Sequence, residues 1–91
     1  MTRNEVLVIV VEKLDEIQDF STEEKVQITE STKPIGGISG FDSMNGVEFA
    51  AMIDEVVHIG EVGNICASKD GTRALTVGEI ADRILEIIPK R

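Results

Sequence analysis

Thr76-Val77-Gly78-Glu79-Ile80-Ala81-Asp82-Arg83-Ile84-Leu85-Glu86-Ile87-Ile88-Pro89 is the stretch that decides the fold. A hydroxyl followed three residues later by a glutamate has the form of a capping box. In such a box each side chain satisfies a backbone N–H that the first helical turn leaves unpaired. Val77, Ile80, Ala81, Ile84, Leu85 and Ile88 then recur at the 3.6-residue spacing that sets them on one helical face. Pro89 stops the helix, and Lys90 and Arg91 complement the negative end of its dipole. A helix with one apolar face needs partners to bury it, and the chain before it supplies them.

Upstream, Asp42-Ser43 opens a second helical stretch. Met44, Val47, Ala50, Ala51 and Val57 are expected to line one face, with Phe49 and Ile53 flanking it and Glu48, Asp54 and Glu55 on the other side. Gly60 and Gly63 punctuate its end; Ile65-Cys66-Ala67 is a short apolar piece, and Lys69-Asp70-Gly71-Thr72 is a turn by composition. At the start of the chain Thr2-Arg3-Asn4-Glu5 repeats the capping-box form, ahead of Val6, Leu7, Val10, Val11, Leu14 and Ile17. Residues 6–11 are rich in β-branched side chains and also fit a buried strand. The cap, the length to about Ile17 and the polar Glu12, Lys13, Asp15 and Glu16 favour a helix. Ser21-Thr22-Glu23-Glu24 reads as a further cap, for one short turn. Lys33-Pro34-Ile35-Gly36-Gly37-Ile38-Ser39-Gly40 breaks regular structure, and Ile28, Ile35 and Ile38 suit a loop pinned to the core. The expectation is an all-α chain: a small four-helix bundle, three longer helices and one short one, with a long loop between helices 1 and 2. Its 91 residues suffice for one domain, residues 1–91.

Charge narrows the function. Seventeen acidic and nine basic residues leave a net charge of −8, which argues against nucleic acid, whose phosphates require a cationic footprint. It fits a protein that meets basic patches on its partners, and equally a protein that is simply well solvated. With three Phe and no Trp or Tyr, there is no stacking platform for bases, and the core must be aliphatic. The single cysteine, Cys66, makes no intramolecular disulfide and reads as a small buried hydrophobe. No basic-then-apolar leader stands at the N-terminus, and the run 6–11 is too short to span a bilayer. A cytoplasmic protein with no membrane partner is expected.

Several catalytic and metal classes drop out. His58 and Ser43, if on one helix, stand about 22 Å apart, beyond any direct proton transfer. The glycines at 36, 37 and 40 lack a following Gly-Lys-Ser/Thr, so there is no P-loop. One Cys and one His do not build a structural zinc site, and Asp70-Gly71 lacks the other ligands of a calcium loop. The chain is expected to hold no metal and no catalytic residues of its own.

One stretch points to chemistry: Gly40-Phe41-Asp42-Ser43-Met44. A serine stands at the start of a helix, directly after a Gly-rich loop, with Asp42 or Ser43 as the natural N-cap. The free N–H groups and positive dipole end of a helix N-terminus suit a phosphodiester. On local pattern alone, Ser43 reads as a simple helix cap.

The chain resembles the acyl carrier protein family, whose members carry an Asp-Ser-Leu type motif at the start of their second helix. The matching residues are Asp42-Ser43-Met44, preceded by Gly40 and followed by Val47-Glu48. Residues 34–41 look like the family's loop before that serine, and Arg73-Ala74-Leu75-Thr76-Val77-Gly78-Glu79-Ile80 looks like the start of its last helix. The resemblance implies that Ser43, beside Asp42, is esterified by 4′-phosphopantetheine, delivered from coenzyme A by a phosphopantetheinyl transferase. The arm's thiol would carry acyl groups as thioesters between acyl-transferring or synthase enzymes with basic patches, in fatty-acid, polyketide or related lipid biosynthesis. Met44, Val47, Glu48, Asp54 and Glu55 correspond to partner-recognition positions, and a monomer is implied. Met44 replaces the usual Leu, Asn45 stands where many members have an acid, and residues 64–75 differ from the shorter connection of fatty-acid carriers. These departures suggest a specialised carrier. An aminoacyl or peptidyl carrier and an unmodified acidic helical interaction module are the alternatives.

Overall fold

Helices form where the capping boxes and apolar periods set them. The computed structural model describes residues 1–21 and 25–88, and among these it contains α1 (Arg3–Ser21), α2 (Pro34–Gly37), α3 (Ser43–Val57) and α4 (Val77–Ile87). At the start of α4, Thr76 Oγ1 accepts the Glu79 N–H at 3.2 Å while Glu79 Oε1 accepts the Thr76 N–H at 3.0 Å. The Thr2–Glu5 box is made in the same way, with bonds of 3.2 and 2.9 Å. Residues 6–11 therefore lie in a helix, and the strand alternative falls away. The cap expected at Ser21-Thr22-Glu23-Glu24 falls on residues 22–24, which together with Pro89, Lys90 and Arg91 lie outside the described residues.

The core is the meeting of three apolar stripes. Val6, Val10, Leu14 and Ile17 of α1 face Val77, Ile80, Ala81 and Ile84 of α4, and α1 also packs against α3. Each Val, Leu or Ile among them taken wholly from water contributes about 1.5–3 kcal/mol. The inward face of α3 differs from the expected one. Phe49 and Ile53, assigned to the flank, are fully buried with Ala50 and Val57, whereas Met44, Val47 and Ala51 are exposed. The positions 46, 49, 50, 53 and 57 make an equally regular helical stripe, and it is the one that buries the bulky Phe and Ile. Ile65, Cys66 and Leu75 close the core from the connection between α3 and α4. Burial pushes the Cys66 thiol up to about 12, with the Arg83 charge opposing the shift, so this cysteine packs as a hydrophobe.

The short helix α2 lies within the loop between α1 and α3. Pro34–Gly37 closes a single turn through Gly37 N–H to Lys33 O (2.9 Å) and Ile38 N–H to Pro34 O (3.1 Å), with Gly36 at φ 97°. Buried Pro34 and Ile38 and half-buried Ile28 and Ile35 pin this loop, as expected. Earlier in the loop Gln18, buried on α1, acts as a backbone substitute. Its Oε1 accepts the Val26 N–H at 2.9 Å and its Nε2 donates to Val26 O at 3.2 Å. None of the helices among the described residues is long and apolar enough to cross a membrane.

Candidate functional site

Asp42, not Ser43, caps α3. Asp42 Oδ1 accepts the N–H groups of Met44 at 3.0 Å and Asn45 at 3.1 Å, and Asn45 Oδ1 accepts the Asp42 N–H at 3.1 Å. This is a capping box with Asn in the place of Glu. Asn45 has a structural role here: an amide closes the box without setting a second carboxylate beside Asp42. Ser43 is the first residue of α3 and is exposed. Among the described residues neither its hydroxyl nor its backbone N–H has a hydrogen-bond partner. The reading of Ser43 as a simple cap is thereby removed.

The same geometry corrects the expected phosphate cradle. The second and third N–H groups of α3 are occupied by the Asp42 carboxylate, and the fourth, of Gly46, donates to Asp42 O at 3.1 Å. One free helix-start amide is left, that of Ser43 itself. An anion here must also accept Asp42 as a like-charged neighbour. Helix-end attraction alone is therefore weaker at this site than the bare motif suggests.

Residues 64–75 pack directly beside this helix start. Asn64 lies against Gly46 so closely that a Cβ at Gly46 would overlap its carboxamide. Asn64 Oδ1 accepts the Cys66 N–H at 3.0 Å, which fixes the carboxamide in place. Beyond it the chain folds back on itself at an isolated bridge between Ala67 and Ala74. The turn is organised by Asp70, whose Oδ1 accepts from Ser68 Oγ (2.6 Å), Thr72 Oγ1 (2.7 Å) and Thr72 N–H (3.1 Å). Those bonds, Ser68's first, hold the Asp70 carboxyl down to about 2. The result is a groove of about 360 Å³ with Ser43 on one wall and Asn64, Lys69, Asp70 and Arg83 among the others. A largely apolar cleft of about 500 Å³ lies between α3 and residues 60–63, lined by Val47, Ala50, Ala51 and Val62 together with the acidic Asp54 and Glu61. Val62 borders both spaces.

The other expected site residues divide into two groups. Met44 (79% exposed), Val47 (51%), Glu48 and Glu55 stand open on α3, joined by Val56. Asp54 does not share that freedom: it is half-buried, and its Oδ1 accepts the Gly60 N–H at 2.7 Å, tying down the chain as it leaves α3. His58 ends α3 in the left-handed region (φ 49°), at the opposite end from Ser43. Among the described residues no three His, Cys, Asp or Glu side chains gather as a metal site. The sequence reading missed Gly46, Asn64, Lys69 and Arg83. Asn45 was legible as the third residue after an Asp cap, but nothing local in the sequence links Arg83 on α4 to Ser43.

Compared with family models, curated proteins and solved structures, the chain matches none.

Proposed function

We propose that this protein is a carrier whose Ser43 is esterified by 4′-phosphopantetheine and which presents acyl intermediates to other enzymes. The observation that carries the reading is the position of Ser43: its hydroxyl is exposed and unpaired at the first turn of α3 because Asp42 does the capping. The residues fit the group. The hydroxyl is open to a transferase, and a groove of about 360 Å³ adjoins it. In the attachment step Ser43 Oγ gives up its proton to the transferase and bonds to the phosphorus next to the pantetheine. The phosphoanhydride bond of coenzyme A breaks, and adenosine 3′,5′-bisphosphate leaves. When bound, the group supplies a terminal thiol that holds an acyl chain as a thioester. Ser43 is then an attachment point rather than a group that turns over. The apolar cleft at Val47 and Val62 supports an acyl cargo in fatty-acid, polyketide or related lipid synthesis over an aminoacyl one.

Met44 and Val47, with Glu48 beside them, supply an apolar patch with an acidic rim near the arm, and Glu55 extends the acidic face further along α3. Transient partners with basic patches suit such a surface, because charge raises encounter rates without demanding tight binding. The double variant Glu48→Gln/Glu55→Gln leaves the Asp54–Gly60 bond intact, and should lower partner enzymes' use of the loaded protein, more at low salt than at high.

Attachment is tested by intact mass, before and after incubation with coenzyme A, magnesium and a broad-specificity phosphopantetheinyl transferase, alongside Ser43→Ala. One added phosphopantetheine on the wild type and none on the variant is the expected result. No addition by several transferases would overturn the reading, and would leave an acidic helical module that works through the exposed face of α3.

A further inference from the structure

The cations of this acidic chain are not scattered evenly. Among the described residues Arg3, Lys13, Lys25 and Arg73 are each in an ion pair with a carboxylate. Lys33, Lys69 and Arg83 are not, and two of these three line the groove that contains Ser43. Neighbouring carboxylates are committed elsewhere: Glu79 pairs with Arg73 and Asp82 with Arg3. Glu86 stands in the adjoining groove and forms no ion pair with either Lys69 or Arg83. Asp70 also lines the Ser43 groove, but one of its oxygens takes three hydrogen bonds inside the turn that precedes α4.

Arg83 is anchored on one side of its guanidinium and left without an acceptor on another. Its Nη1 donates to Ala67 O at 2.7 Å, which fixes the guanidinium against the turn. Its Nε is buried and, among the described residues, has no acceptor. A buried N–H of a charged group is costly to leave unpaired. Across the groove, the Met44 and Asn45 N–H groups that a helix start would offer an anion are already taken by Asp42, and only the Ser43 amide is free. A phosphate at Ser43 would thus stand beside a carboxylate in a chain of net charge −8, with two uncommitted cations on the same groove.

We propose that Lys69 and Arg83 form a cationic clasp that binds the phosphate of the prosthetic group carried on Ser43. The inference rests on the carrier reading above and extends it. The clasp does what the α3 amides cannot: Arg83 from α4 and Lys69 from the Asp70 turn offset the charge that the phosphodiester adds beside Asp42. It gives the unusual 64–75 connection a function, which is to bring Lys69 up to the arm. It also makes the root of the arm sensitive to salt, because the side chains that hold it border solvent.

The test is NMR of the full chain before and after loading with coenzyme A and transferase, with mass confirming the product. Loading should move the Arg83 Nε–H and Lys69 side-chain resonances. In Lys69→Gln, or at high salt, the 31P resonance of the loaded protein should move towards the position that the same phosphodiester takes in the urea-unfolded loaded protein. Lys33→Gln, which removes the uncommitted cation outside the groove, should leave it unchanged. Arg83→Gln is the stronger perturbation but risks the Ala67 contact, so Lys69→Gln and the salt titration carry the decision. Added mass with unmoved Arg83 and Lys69 signals, and the same 31P position in wild type and Lys69→Gln, would overturn the clasp and leave the carrier standing. No added mass would overturn both.

Discussion

At the start of α4 the hydroxyl of Thr76 is the cap; at the start of α3 the hydroxyl of Ser43 lies one position inside it. The difference governs what each helix end is able to do. Around Thr76 every backbone donor is occupied. Val77 N–H donates to Thr32 O at 2.8 Å, Gly78 N–H to Glu30 O at 2.9 Å, and Glu79 N–H to Thr76 Oγ1 at 3.2 Å. The loop before α2 thus closes this end from outside. Around Ser43 the cap is a carboxylate, no loop carbonyl reaches the first amide, and a hydroxyl is left over. Two sequences that both read as hydroxyl-at-a-helix-start therefore make one sealed end and one open one.

The largest expected effect separates the two hydroxyls by chemistry. Ser43→Ala should abolish phosphopantetheine loading completely, while changing stability by no more than about 0.5 kcal/mol, since no hydrogen bond is lost. Thr76→Ala should do the reverse: full loading, with stability lower by about 1 kcal/mol for the lost cap. Mass spectrometry and urea unfolding of the two variants read both quantities. Comparable stability losses in the two would break the distinction between sealed and open ends.

The next contrast is between the glycines in the two first turns, Gly46 and Gly78. A Cβ at Gly46 meets the Asn64 carboxamide, which is held by the buried Cys66 N–H. Moving Asn64 leaves that N–H unpaired, so Gly46→Ala should destabilise by about 1–3 kcal/mol despite the helix propensity that Ala adds. A Cβ at Gly78 meets Glu30 Cγ at 2.8 Å and Arg3 Nη2 at 3.1 Å, the two members of a surface ion pair whose flexible side chains can swing aside together. There the propensity gain and the displacement roughly cancel, and Gly78→Ala should fall within about 0.5 kcal/mol of wild type. Urea midpoints decide. A neutral Gly46→Ala would mean that Asn64 does not fix the 64–75 connection to α3.

How much of this was legible depends on range. Patterns confined to one turn were readable: the Thr2–Glu5 and Thr76–Glu79 boxes and the stripe from Val77 to Ile84 need only neighbours three or four residues apart. The inward face of α3 was not, because α3 is apolar on more than one side. Met44 and Val47 compete with Phe49 and Ile53 for the core, and only packing against α1 decides between them. The Ser43 motif was visible as residues, yet its cap was ambiguous until Asp42 and Asn45 closed on each other. The groove was beyond reach, since it joins Ser43 to Lys69 and to Arg83 on another helix. Asp54 shows the same limit from the other side: an acid grouped with Glu48 and Glu55 by helical spacing is withdrawn from them by a bond to Gly60.

The smallest expected effect concerns protons. Glu79 closes the α4 box with a titrating group, and its carboxyl is held below the usual glutamate range, first by the Thr76 N–H and then by the Arg73 guanidinium. A group whose folded pKa is depressed contributes stability that is present above its unfolded value, about 4.3, and lost as pH falls through the folded value. The stability difference between wild type and Glu79→Gln should therefore be steady at neutral pH and shrink on the acid side of that value. In the α3 box the corresponding residue is Asn45, whose amide has no proton to gain. The difference between wild type and Asn45→Ala should stay flatter over the same range. Urea midpoints taken at several pH values for the three proteins give both curves. Parallel curves would mean that the Glu79 bonds contribute nothing specific to α4, and that the two helix ends differ only in which one leaves its hydroxyl free.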